Sequence, residues 1–201
     1  MKKPIIAVPI GDPAGVGPEI VSMALADAGT QSIADCIIIG DKQVMENAIG
    51  IVLGSGLSEL GNEIQNPVVI DYKDIPDFPV STVSLHENSL VCGYLEGRKV
   101  LCMKGRFHFY EGFDMESVIM PIRVMKLLGI KFAILTNASG GVNESFKEGT
   151  LMFVDDFINF MGENPLRGPN ADEFGLRFPD MVKAIDPELN SKAKKIAEKL
   201  G

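Results

Sequence analysis

Three side chains able to grip an oxyanion stand at alternate positions in one short segment. Residues Gly105 to Gly112 read Gly-Arg-Phe-His-Phe-Tyr-Glu-Gly, a glycine-bracketed loop carrying Arg106, His108 and Tyr110. In extended backbone, side chains two residues apart share a face, so a guanidinium, an imidazole and a phenol would converge. Such a set can hold an oxyanion beside a hydroxylated substrate, the guanidinium through its paired donors. The intervening Phe107 and Phe109 imply that the opposite face is buried. The bland alternative is an exposed loop whose cations make local links, for instance to Glu111.

Two further segments could serve the same ligand. Gly54-Ser55-Gly56 follows the apolar run Ile49–Leu53 and precedes a helix-like stretch. Glycines there let backbone amides approach an anion, although a tight strand-to-helix connection needs the same residues. Asn137-Ala138-Ser139-Gly140-Gly141 directly follows the apolar stretch Phe132–Thr136, where exposed amides and an Asn dipole can meet a ligand or simply turn the chain. His86 is the other of the two histidines, open to a role as phosphate contact, base or plain surface residue. Tyr110 and Phe178 suit the apolar wall of a sugar pocket, or a core. With two histidines and three scattered cysteines, Cys36, Cys92 and Cys102, a metal cluster is not expected.

The elements that must position these residues follow from the apolar pattern. Short apolar runs at Ile5–Ile10, Cys36–Ile39, Ile49–Leu53 and Phe132–Thr136 read as buried strands. Helices are expected over Pro18–Ala28 and from Asp41 to Ala48. A short one over Leu57–Ile64 would turn Leu57, Leu60 and Ile64 to one face. Leu90–Leu95 and Lys99–Met103 flank Glu96-Gly97-Arg98 as a hairpin. A helix over about 115–128 has Asp114 as cap, Pro121 as kink and Gly129 as stop. Pro67–Pro79 reads as irregular or edge structure, Leu151–Val154 and Phe157–Phe160 as strands, and Pro187–Leu200 as a helix with a lysine-bearing solvated side. Strands ending in glycine-rich turns define an α/β fold with ligands at the carboxyl ends of strands.

Composition narrows the function classes. The chain has 201 residues, 46% of them hydrophobic, enough for a proper core. Its net charge of -8 argues against a nucleic-acid or anionic-membrane surface. No signal peptide or bilayer-spanning helix is read, since Pro9, Gly11 and Asp12 interrupt the first apolar run and Arg123, Lys126 and Lys131 the longest one. An odd number of cysteines without a CxxC pair fits a reducing compartment, so a cytoplasmic location is expected. Cys92 and Cys102 could face each other across the hairpin, but a disulfide is not expected.

From Ile49 onward, the segments Gly50–Leu57, Gly105–Gly112, Pro121–Met125, Thr136–Asn143, Asn164–Asn170 and Arg177–Met181 together resemble the trimeric purine nucleoside phosphorylases. The resemblance implies a mixed sheet flanked by helices. It also implies phosphorolysis of purine nucleosides to free base and ribose 1-phosphate, with inorganic phosphate as co-substrate and no cofactor. Ser55, Arg106, His108, His86 and the backbone at Ala138 match the family's phosphate site. Arg106 and His108 are the residues implied to be catalytic. Tyr110 matches a ribose contact, and Phe178 a phenylalanine that closes the sugar pocket of a neighbouring subunit, so a homotrimer is implied. Leu85-His86-Glu87-Asn88 stands where the family carries Gly-His-Ala-Gly, which sets negative charge beside that site. The family's later, purine-reading segment has no counterpart here, so the domain is expected to be incomplete.

Residues 1–48 read differently. Gly11-Asp12-Pro13-Ala14-Gly15-Val16-Gly17-Pro18-Glu19-Ile20, with Ile38-Ile39-Gly40-Asp41, resembles the N-terminus of 4-hydroxythreonine-4-phosphate dehydrogenases. The same composition serves a structural strand-to-helix turn. The expected organisation is therefore a short βαβα segment at 1–48 joined to a phosphorylase domain at 49–201. Two other functions stay open: a non-catalytic phosphate-binding or structural fragment, and a nicotinamide-dependent oxidoreductase.

Overall fold

The computed structural model describes residues 5–9, 35–39, 45, 47–83 and 87–200. The motif at Gly11–Ile20, the helix expected at Pro18–Ala28, most of the helix expected from Asp41, and His86 lie outside the described residues. Strands β1 (Ile5–Pro9) and β2 (Asp35–Ile39) form at the expected places and pair in parallel, Ile5 opposite Asp35.

The chain divides into two compact units, 1–138 and 139–201. The first holds a five-stranded mixed sheet built from β3 (Ile49–Leu53), β4 (Gln65–Asp71), β5 (Ser89–Leu95), β6 (Arg98–Lys104) and β7 (Phe132–Leu135). Its spatial order is β4-β5-β6-β3-β7. β3 runs parallel to both β6 and β7, whereas β4, β5 and β6 form an antiparallel meander.

Both faces of the central strands are buried. Val100 and Cys102 of β6 join Ile51, Leu53, Ile64 and Val91 on one face. Leu101 and Met103, next to them in sequence, pack with Val52, Tyr72, Phe107, Met125 and Leu128 on the other. This two-sided burial is why β3 and β6 read as continuous apolar runs rather than alternating ones. It also separates the cysteines. Cys102 pairs with Val91 and Cys92 with Leu101 in the hairpin, so their side chains belong to opposite faces, and both are free thiols. Burial pushes both thiols up, Cys102 to about 11 despite the pull of Lys104.

Local signals place most of the connections. The β5–β6 turn is Glu96-Gly97, both at positive φ (48° and 70°), the backbone a two-residue hairpin turn requires. Helix α1 (Met115–Leu127) is capped by Asp114, whose carboxylate accepts from the Ser117 amide at 2.7 Å, and Gly129 follows its end at φ 81°. Pro121 lies buried inside α1, and the helix continues through it. Pro67 sits in the register shift between Gln65 and Val68 of the outer strand β4, where its missing donor costs no ladder bond.

Three expectations need correction. The short helix after Gly54 is a 3-10 helix, Ser58–Glu63, and of its anticipated apolar face only Ile64 is buried while Leu57 and Leu60 are exposed. A 3-10 turn eclipses residues three apart and does not carry the 3.6-residue stripe. β7 forms, but as the outer strand its four side chains are exposed rather than buried. No strand occurs among the described residues of the second unit. Segments 151–154 and 157–160 are irregular, and all but half-buried Val154 are exposed, since an apolar run without a partner backbone has nowhere to place its ladder bonds.

The second unit contains helix α2 (Pro187–Leu200), as expected, and 3-10 turns at Asp172–Phe174 and Met181–Lys183. Polar contacts tie α2 to the preceding chain: Asn190 Nδ2 donates to Asp155 at 2.6 Å, and Lys194 pairs with the same carboxylate.

Candidate active site

Parallel pairing brings three loops to one rim. β3, β6 and β7 end at Leu53, Lys104 and Leu135, so Gly54-Ser55-Gly56, Gly105–His108 and Thr136–Ala138 all leave the sheet at its carboxyl edge. Ligands in open α/β sheets bind at that edge.

Thr136 is the junction. Its amide and hydroxyl both donate to the Val52 carbonyl, at 3.0 and 3.1 Å. Its Oγ1 accepts from the Gly54 amide at 2.8 Å, and its carbonyl accepts from Arg106 Nη1 at 2.7 Å. A Cβ on Gly54 would lie 2.8 Å from both Thr136 O and Asn137 Cα. The glycine is therefore needed for the close approach of the two strand ends. Ser55 follows, half-buried, in the turn closed by the Leu57 amide on the Gly54 carbonyl, and Ala138 is exposed two residues past Thr136.

Arg106 and His108 meet as expected, with Arg106 Nε donating to His108 Nε2 at 3.3 Å. The other ring nitrogen, Nδ1, lies 2.8 Å from Glu111 Oε1. With a carboxylate on one side and a guanidinium donor on the other, the imidazole carries its proton on Nδ1 and its lone pair on Nε2. Burial lowers the Arg106 pKa and the Tyr110 phenol opposes that fall; arginine stays charged at neutral pH regardless.

The extended backbone expected for the whole loop stops at His108, which has φ -119° and ψ 142°. Residues Phe109–Glu111 then form a 3-10 turn, closed by the Glu111 amide on the His108 carbonyl and by the Glu111 carboxylate on the His108 amide. Phe107 is buried as expected, whereas Phe109 is exposed. Tyr110 still reaches the site, by stacking on His108 with ring centroids 4.7 Å apart and planes at 21°. It is 75% exposed.

Two residues shape this rim more than the sequence indicates: Glu111, anticipated only as a local partner for the loop's cations, and Thr136. Glu111 is not part of a carboxylate pair, but it accepts from the His108 amide at 2.9 Å, the Ser81 hydroxyl at 2.9 Å, and the Thr82 amide and hydroxyl at 2.6 and 2.9 Å. Burial alone would push its carboxyl up; the bonds from His108, Thr82 and Ser81 outweigh that and hold it at about 2. The His-x-x-Glu spacing of a capping box is the signal that could have found it. Thr136, last residue before a glycine-rich turn, carries no comparable local mark.

Glu87 does not stand as an unpaired charge. Lys104, buried at the end of β6, makes an ion pair with it and donates to Asn62 Oδ1 at 2.8 Å. Phe178 belongs to the second unit, where it is 86% exposed and lies 5.9 Å from the Arg177 guanidinium carbon. No cluster of metal-ligating side chains occurs among the described residues.

A five-stranded mixed sheet with helices, its parallel strands ending at one rim, defines the chain as an α/β protein. Residues 48–201 match the family model described as phosphorylase superfamily, and the chain belongs to that family. It is 59% identical over 152 residues to purine nucleoside phosphorylase 1 of Bacillus subtilis, covering 76% of this chain and 56% of that one. It is 45% identical over 174 residues to purine nucleoside phosphorylase of Anopheles gambiae, covering 85% and 49%. Among solved structures, purine nucleoside phosphorylase of Schistosoma mansoni in complex with inosine aligns with TM-score 0.72 and 42% identity, over 79% of this chain and 56% of that one. The chain thus spans about half the length of the curated relatives it matches.

Proposed function

We propose that this chain carries out phosphorolysis of purine nucleosides. The observation that carries the reading is the meeting of Arg106, His108 and the Gly54–Gly56 turn around Thr136 at the carboxyl ends of three parallel strands. Relatives named purine nucleoside phosphorylase support it.

In this reading Ser55, Arg106, His108, His86 and the Ala138 backbone hold inorganic phosphate. Tyr110 lines the ribose site, and Phe178 serves the sugar pocket of a neighbouring subunit in a homotrimer. A phosphate oxygen forms a bond to the anomeric carbon as the glycosidic C–N bond breaks. The bonding pair leaves with the purine, which takes up the proton that the attacking hydrogen phosphate gives up, and ribose 1-phosphate remains. Phosphate held beneath the sugar stabilises the oxocarbenium-like charge and replaces a bimolecular encounter by a fixed one. The Arg106 guanidinium offers the phosphate its charged donors, with His108 held beside it by Glu111. The reaction requires no covalent intermediate with the enzyme.

The phosphorylase domain is taken as residues 49–201, consistent with a family match starting at residue 48. Residues 1–48 are taken as the separate dehydrogenase-like segment. Free thiols at Cys92 and Cys102, and the lack among the described residues of any helix long and apolar enough to cross a membrane, are in keeping with work in the cytoplasm.

The test is phosphate-dependent release of hypoxanthine from inosine by the purified chain, beside Arg106→Ala prepared identically. Loss of roughly a hundredfold or more in the variant is expected for removal of a preorganised anion donor. Equal rates in the two proteins would refute the catalytic reading, and phosphate binding without turnover would favour a binding module instead.

A further inference from the structure

Tyr72 lies outside the Arg106, His108 and Tyr110 set yet touches both residues that flank Arg106. It begins a 3-10 helix, Tyr72–Asp74, directly after β4, and its side chain is 0% exposed. Its hydroxyl donates to the Gly105 carbonyl at 2.7 Å. Its ring packs edge-on against Phe107, with centroids 5.3 Å apart and planes at 66°. Gly105 and Phe107 are the two neighbours of Arg106 in the chain.

That bracket matters because Gly105 sits at φ 108°, where glycine alone is at ease and the backbone is freest to turn. A donor on the Gly105 carbonyl removes that freedom on one side of Arg106, and the locked Phe107 ring removes it on the other. Tyr72 is itself held by its amide on the Asn88 carbonyl at 2.8 Å and by the Phe78 ring at 4.9 Å. Burial, and to a lesser degree Cys102, raises its pKa, so the phenol remains a donor.

We propose that Tyr72 is a positioning residue for the phosphate site: its hydroxyl fixes Gly105 so that the Arg106 guanidinium, anchored on Thr136, is aimed at the bound anion. The inference rests on the phosphate half of the functional reading. It assigns Tyr72 no contact with substrate.

The experiment is calorimetric titration of the full chain with inorganic phosphate, together with thermal unfolding, for wild type, Tyr72→Phe, Leu128→Ala and Arg106→Ala. Tyr72→Phe keeps the ring and removes only the hydroxyl. Its phosphate affinity is expected to fall about fivefold, as for loss of one buried hydrogen bond. Where turnover is measured, KM for phosphate rises while KM for inosine and kcat hold. Leu128→Ala opens a cavity in the same core cluster but removes no hydrogen bond to Gly105; it should unfold at lower temperature and bind phosphate as wild type does. Wild-type affinity in Tyr72→Phe, or equal weakening in Leu128→Ala, overturns the proposal and makes Tyr72 a packing residue. If wild type and Arg106→Ala both fail to bind phosphate, the functional reading falls, and the inference with it.

Discussion

Glu111 shows how one side chain can set the chemistry of another. A neutral imidazole offers either nitrogen, and the carboxylate settles the matter by taking Nδ1 and leaving Nε2 toward Arg106. Ser81 and Thr82 in turn keep the carboxylate ionised despite its burial. The pH consequence has a definite sign. The folded-state pKa of about 2 lies below the ordinary 4.5, so the folded state binds fewer protons than the unfolded chain. The stabilisation is complete above pH 4.5 and is lost as pH falls toward 2. Urea unfolding of wild type against Glu111→Gln should show a gap of about 2 kcal/mol at neutral pH, in the range for bonds to a buried charge. The gap should narrow between pH 5 and pH 3; a constant gap would contradict this account.

Among the elements, the junction of β3 with β7 bears most directly on the site. Register places Gly50 opposite Ala133 and Val52 opposite Leu135, and from that pairing Thr136 reaches Gly54. Gly54→Ala would push a methyl group to 2.8 Å from backbone that cannot yield. We expect a loss of about 2 kcal/mol, typical of overpacking, together with weaker phosphate binding as the strand ends part. Thermal unfolding and titration of that one variant check both; an unperturbed variant would remove the junction from the argument. α1 and the β5–β6 hairpin were readable in advance because caps, helix-ending glycine and a Glu96-Gly97-Arg98 link between two apolar runs are local signals, although Arg98 proves to open β6 and leaves a two-residue turn. The turn at Phe109–Glu111 was missed because the alternation of Arg106, His108 and Tyr110 suggested extended backbone, whereas the chain turns after His108.

For the whole molecule, exposed apolar side chains carry the clearest expectation. Val142, Leu151, Ile158 and Phe160 are each at least 85% exposed in the second unit, and β7 presents exposed Phe132, Ile134 and Leu135 in the first. Apolar surface on this scale favours association, so sedimentation should give a self-associated species, a trimer of the 21.7 kDa chain if the functional reading holds. A monodisperse monomer would count against it. Residue order alone was sufficient for the chemical equipment and for the elements whose rules are local: Arg106 with His108, the glycine turns, the hairpin and the capped helix. It could not say that Thr136 joins three loops, that Lys104 answers Glu87, or that Tyr72 steadies Gly105. Those contacts join residues 17 to 84 positions apart, and they exist because parallel pairing of β3 with β6 and β7, and the antiparallel meander of β4, β5 and β6, carry distant strand ends together. Such pairing is a matter of long-range register and packing, for which no short stretch of sequence holds the signal.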